Sequence, residues 1–182
     1  TYEQARKALP YIASGVTINR IEVWVTNKRG NYDEARNVVA LTDLGEYDAM
    51  HIQNSKWNAT AGARTPYNKA NRLYETLVQD NPSVRDIQQV SSVMQSIGME
   101  MSEDYEKIES ARLLNSSEYT LNAALGYISL RAALNQDEVL AVAYEYTYAG
   151  QVYQVGEFST DAGESLKAPN ALLLKMLKSS NN

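Results

Sequence analysis

Cysteine is absent from this chain, so neither a disulfide framework nor a thiolate metal site is open to it, and its redox compartment stays unread. Histidine occurs once, at His51, and with no thiolate to join it a transition-metal site is short of ligands. Cations are in the minority: 17 Lys and Arg face 22 Asp and Glu, for a net charge of −5. No stretch concentrates the basic residues, which argues against nucleic acid as a partner. No apolar run reaches the length of a membrane-spanning helix. The chain opens on Thr1 without a charged-then-apolar leader, which suggests a processed chain or a piece excised from a longer protein.

Recognised chemical signatures are missing as well. No Gly-x-Ser-x-Gly, Walker, Rossmann or His-Glu-x-x-His pattern occurs. Asp43, Glu46 and Asp48 lie near His51 in sequence, but their spacing matches no calcium loop, and exposed carboxylates of a solvated loop are the ordinary case. Glu145 and Glu157 fall on opposite faces of a strand pair and cannot flank one glycosidic bond. The residues alone therefore name no catalytic group, no metal and no cofactor.

What the chain has in excess is tyrosine, 13 residues against 2 Trp and 1 Phe. Much of it sits in the strongest hairpin signal of the sequence. Residues 138–148 and 151–158 alternate in polarity, are rich in Val and Tyr, and are separated only by Ala149 and Gly150. A two-residue loop sets Tyr146 opposite Tyr153 and Tyr144 opposite Val155. One face then carries Leu140, Val142, Tyr144, Tyr146, Tyr148, Tyr153 and Val155. The other carries Ala141, Ala143, Thr147, Val152, Gly156 and Phe158, with Gly156 opposite Ala143 in a shallow middle. Both faces read as covered, which places the hairpin centrally in a sheet.

Along the rest of the chain, residues 1–8 suggest a short helix stopped by Pro10. Strands are expected at 16–26 and 36–44, with Ile21, Val23 and Val25 on an apolar face and Arg20, Glu22 and Trp24 on a mixed one. Residues 46–67 read as a long irregular excursion with one helical turn near His51. Apolar stripes then predict helices at 68–79 and 83–97, the second capped by Ser83 and closed by Gly98. Residues 105–114 alternate with breaks at Ile108 and Ala111 and lean to strand. Short extended pieces follow at 119–121 and 126–130, residues 171–177 fit strand or helix, and residues 178–182 are expected to fray. The fold class is α+β: a mostly antiparallel sheet with a central hairpin and an inserted pair of helices, in one soluble domain over 1–182 with the helical insertion at 68–98.

Three stretches then carry a family resemblance: RIEVWVTNKRG with ARNVVALTDLGE, NKANRLYETL, and SEYTLNAALGYISL with DEVLAVAYEYTYAGQVYQVGEFS. They resemble the SprA family, also called Sov, the very large outer-membrane proteins of gliding motility and the type IX secretion system. The resemblance implies that the parent is an outer-membrane translocon, and that this piece is a soluble segment inserted between barrel strands. It implies no catalytic residues or cofactor. As partners it implies other segments of the same protein and secretion-system accessory proteins, with the segment on the cell-surface or periplasmic side, the former favoured. Long alternating runs of the kind a membrane barrel repeats are not seen here. Trp24, Tyr144, Tyr146, Tyr148 and Tyr153 are the candidates for packing or partner contact, since aromatics serve both the core and interfaces. A second reading is a surface β-domain that binds glycan or peptide, Trp24 and exposed tyrosines stacking on sugar.

Overall fold

The computed structural model describes residues 6–8, 16–123, 126–161 and 163–180. Nine strands appear among them: β1 (Arg6–Ala8), β2 (Thr17–Val25), β3 (Arg36–Leu41), β4 (Tyr105–Leu113), β5 (Tyr119–Asn122), β6 (Tyr127–Leu130), β7 (Leu140–Tyr148), β8 (Gln151–Val155) and β9 (Ala171–Lys178). Between β3 and β4 lie α1 (Leu73–Glu75), which continues as a π-helical turn over Thr76–Asp80, and α2 (Val90–Ser96). The fold is α+β and mostly antiparallel, with β3 and β9 the parallel pair.

The hairpin has the register its alternation predicts, Tyr146 pairing with Tyr153 and Tyr144 with Val155. Ala149 and Gly150 both take positive φ, 51° and 77°, as a tight hairpin turn requires. β7 is central. One of its edges pairs with β2 along its length; the other pairs with β9 at residues 140–142 and with β8 at residues 144–148.

From β9 the sheet continues through β3 to β4, and β4 returns to β2 at Trp24 and Val25. Strands β2, β4, β3, β9 and β7 thus close into a ring, with β8 attached outside it. Trp24, Val38, Ala40, Ala111, Ala141, Ala143, Leu172 and Leu174 form one cluster, every one of them fully buried. They come from all five ring strands and seal one another from water by facing inward, with Phe158, and Leu166 of a 3₁₀ turn over Gly163–Leu166, packed against them. Trp24 fills this lumen and the alanines leave it room, the large-and-small matching that close packing demands.

The outer face is a second cluster. Val23, Val39, Val142, Tyr144 and Leu173 meet Leu73, Leu77, Val84, Val90 and Met94 of the helical insertion, and Ile128 and Leu130 of β6. β6 belongs to a separate three-stranded sheet, order β1-β6-β5.

Several expectations are corrected. Arg6–Ala8, read as part of a helix, is a strand paired with β6; residues 1–5 of that helix lie outside the described residues. The helix expected at 83–97 begins only at Val90. Ser83 caps nothing there, because Asp86 makes a bridge to Asn170 and the Ile87 N–H donates to the Pro169 carbonyl at 3.0 Å. Tertiary partners outbid the local helix. The helix expected at 68–79 is split at Asn71, whose extended backbone ends a 3₁₀ turn over Asn68–Ala70. Near His51 there are turns and no helix.

The broken alternation in β4 is a bulge. Between the pairs Val38–Ile108 and Arg36–Ala111, β4 spends one residue more than β3, with Ser110 at φ 52° and its N–H donating to Asn37 Oδ1 at 2.9 Å. The tail is not frayed at its start: Lys178 and Ser179 are buried, and Lys178 Nζ donates to the carbonyls of Gln136, Glu138 and Ser179.

Candidate functional site

Of the five aromatic candidates, three belong to the core. Trp24, Tyr144 and Tyr146 are 0% exposed, whereas Tyr148 and Tyr153 are half-buried. Trp24 lies in the lumen, so it stacks on no sugar in the folded chain, and the glycan reading loses the residue it leaned on most. The tyrosines form a ladder: ring centroids of Tyr144 and Tyr146 are 6.0 Å apart, those of Tyr146 and Tyr153 5.3 Å, and Tyr67 joins at 5.9 Å from Tyr153. Offset contacts of this kind add to what burial alone contributes. The Tyr146 hydroxyl bonds Thr65 at 2.6 Å and the Pro66 carbonyl, and burial pushes its pKa up. These bonds pin the end of the irregular 46–67 excursion to the sheet.

Of the acidic residues near His51 in sequence, Asp48 stays beside it while Asp43 and Glu46 are engaged elsewhere. Asp43 is buried and accepts the N–H groups of Gln53 and Asn54 at 2.7 and 2.9 Å; burial raises its pKa in spite of those bonds. Glu46 pairs with Lys175 at 3.0 Å, and Lys175 also donates to the Thr42 carbonyl. His51 is exposed, with Asp48 3.8 Å away. Among the described residues no group of three or more His, Cys, Asp or Glu side chains is placed to hold a metal ion. Among them, too, no helix is long and apolar enough to cross a membrane.

Two residues that tie the insertion to the sheet gave no motif in the sequence. Asn71 is buried; its amide donates to the carbonyls of Asp43 and Glu46 at 2.8 and 2.9 Å and accepts from the Leu73 N–H at 2.9 Å. Glu157 accepts a bidentate pair from Arg85, both contacts 2.5 Å, the Tyr74 hydroxyl at 2.6 Å and the Leu173 N–H at 2.8 Å. Burial, with Glu157 beside it, pushes the Tyr74 hydroxyl well up. Nothing in the sequence marks Arg85 and Glu157, 72 residues apart, as a pair.

A cleft of about 370 Å³ opens where β2, β4 and β6 end, floored by Val25, Leu114, Leu130 and Leu134 and rimmed by Lys28, Arg29, Arg112 and Arg131. Most of that positive charge is matched in place. Lys28 meets Asp137 at 2.6 Å, and Glu118 takes both Arg112 at 2.9 Å and Arg29 at 3.2 Å. Burial alone would raise the Glu118 carboxyl, but the Asn115 N–H and Arg112 outweigh it and hold it below the usual range. The cleft is a braced junction of three strand ends, with two sets of ion pairs, one on Asp137 and one on Glu118.

No protein-family model matches the chain, and no curated protein does either.

Proposed function

We propose that this chain is a non-catalytic segment of a very large outer-membrane protein of the SprA/Sov type, serving type IX secretion and gliding motility by packing against other segments of its parent and against accessory proteins. The parent's identity rests on the sequence stretches given above. The observation that carries the non-catalytic half is the use to which buried ionisable groups are put. Glu157 with Arg85, and Glu46 with Lys175, are each spent on joining the helical insertion or its flanking loop to the sheet. A general acid or base needs a free lone pair or proton within reach of a substrate. These groups have theirs committed to backbone and to each other.

In-frame deletion of the segment from the parent, in the cell that makes it, tests the proposal. The expected outcome is cargo retained behind the outer membrane and loss of colony spreading, with the parent still present at its normal level. Undiminished export from that strain would sink it. Protease added to whole cells, with an epitope placed in the 46–67 excursion, reads the side of the membrane; cleavage is expected, in line with the cell-surface side.

A further inference from the structure

Among the described residues β8 is the last strand of its sheet, with no strand beyond it. A two-residue hairpin loop makes Tyr148 and Gln151 a mutually hydrogen-bonded pair, after which bonded and non-bonded pairs alternate. Val152 and Gln154 therefore turn their N–H and C=O groups away from β7, and Gly156, just past the strand at φ 79°, presents its own to Asn68. Gly156 shows what that edge accepts. The side-chain amide of Asn68 lies against it as a neighbouring strand's peptide would, Oδ1 accepting the Gly156 N–H at 2.7 Å and Nδ2 donating to its carbonyl at 3.1 Å.

The two residues before it have no such cover. Among the described residues no bond from a loop or side chain reaches the backbone of Val152 or Gln154 on that side, and the Val152 side chain is 62% exposed. Native edges are commonly blunted by a charge, a proline or a bulge. β2 follows that habit: over residues 17–22 it pairs on one side only, and there it is bulged at Asn19 and carries Arg20. β8, reading QVYQV, has none of these devices.

We propose that the outer edge of β8 receives a short extended segment of a partner polypeptide, which adds one strand to the sheet. Main-chain bonds to Val152 and Gln154 hold it. On one side of the added strand the neighbours are Tyr153 and Tyr67; on the other is Val152. An uncharged segment with apolar residues at alternate positions fits that pattern. Five residues of edge offer too little area for a stable dimer of this chain, which needs about 1,000 Å² in all, so the occupant is a segment and not a second copy. The inference goes beyond the translocon proposal and does not rest on it: binding is read on the isolated chain, export in the cell.

The probe is a blocked peptide alternating threonine and valine, titrated into the chain while backbone amides are followed by NMR and hydrogen exchange. Saturable protection of the Val152 and Gln154 amides is expected. Val152→Pro removes an outward N–H that serves no internal bond, so the fold should survive while affinity drops about tenfold or more. Val152→Lys, which keeps the N–H but adds a charge to the edge, should also weaken binding. A peptide N-methylated at alternate residues should not bind. Absence of binding, protection confined to other strands, or equal affinity for Val152→Pro each overturns the proposal. So does concentration-dependent self-association of the peptide-free chain that Val152→Pro abolishes, which would make a second copy the occupant.

Discussion

Replacing Arg85 by methionine should be among the most damaging single changes in this chain, and the structure says by how much. Arg85 and Glu157 keep side-chain exposures of only 20% and 10%. The substitution removes both 2.5 Å contacts to Glu157 and a 3.1 Å bond to the Ala171 carbonyl. What stays behind is a buried carboxylate with only the Tyr74 hydroxyl and the Leu173 N–H to stabilise it. Breaking one side of such a pair costs about 3–5 kcal/mol. The double variant Arg85→Met/Glu157→Met removes the stranded charge but takes the acceptor from the half-buried Tyr74 hydroxyl and orphans the buried Leu173 N–H, the latter a cost of about 1–3 kcal/mol. The double change should therefore be milder than Arg85→Met alone, and the pair strongly non-additive. Urea unfolding followed by circular dichroism measures this, with a lower midpoint at unchanged slope, and thermal melts should fall by about 2–4 °C for each kcal/mol lost. An Arg85→Met loss below about 1 kcal/mol, or strict additivity, would refute the account of Glu157 as a desolvated hub.

Three further outcomes are expected. Gly156→Ala places a Cβ 3.0 Å from Ala143 Cα and from the Val142 carbonyl at φ 79°, so it should cost about 2–4 kcal/mol by chemical denaturation; a neutral effect would contradict the close approach of the two strands. Trp24→Ala opens a void in the ring and should cost about 3–5 kcal/mol, and tryptophan fluorescence of the unsubstituted chain, from the buried Trp24 and Trp57, should resist iodide quenching. The Glu118 carboxyl is held below its ordinary value, so its share of stability is full above the unfolded pKa and disappears as pH falls through the folded one. Between about pH 5 and about pH 3 the denaturation midpoint of Glu118→Gln should therefore decline less than that of the parent, and parallel curves would count against the Arg112 contact.

Where the sequence was explicit, local geometry was in control. A two-residue loop and period-two alternation leave β7 and β8 a single register, and the same count sets Gly156 against Ala143. In β4 the lapses at Ile108 and Ala111 mark a real bulge. Ring closure was out of reach, because the β2–β7 and β3–β9 pairings join residues more than a hundred apart and leave no local mark. Trp24 was ambiguous for that reason: beside Arg20 and Glu22 it falls on a mixed face that fits either packing or partner contact, and only the closed ring shows that its strand runs from Glu22 into the lumen at Trp24. Lys178 misled, its polarity suggesting solvent while three carbonyls take its ammonium group. Among the aromatic candidates, Tyr148 and Tyr153 keep exposed surface, and nothing in their spacing sets them apart from Tyr144 and Tyr146.

The place of β9 has a consequence for how the chain acquires its shape. Of the described strands it comes last in the sequence, yet it sits between β3 and β7 as the keystone of an arch. During synthesis the earlier strands wait, with the walls of the future lumen wet, until Leu172 and Leu174 arrive. Assembly should accordingly be late and all-or-none, and slow by the standard of chains whose neighbours in space are neighbours in sequence.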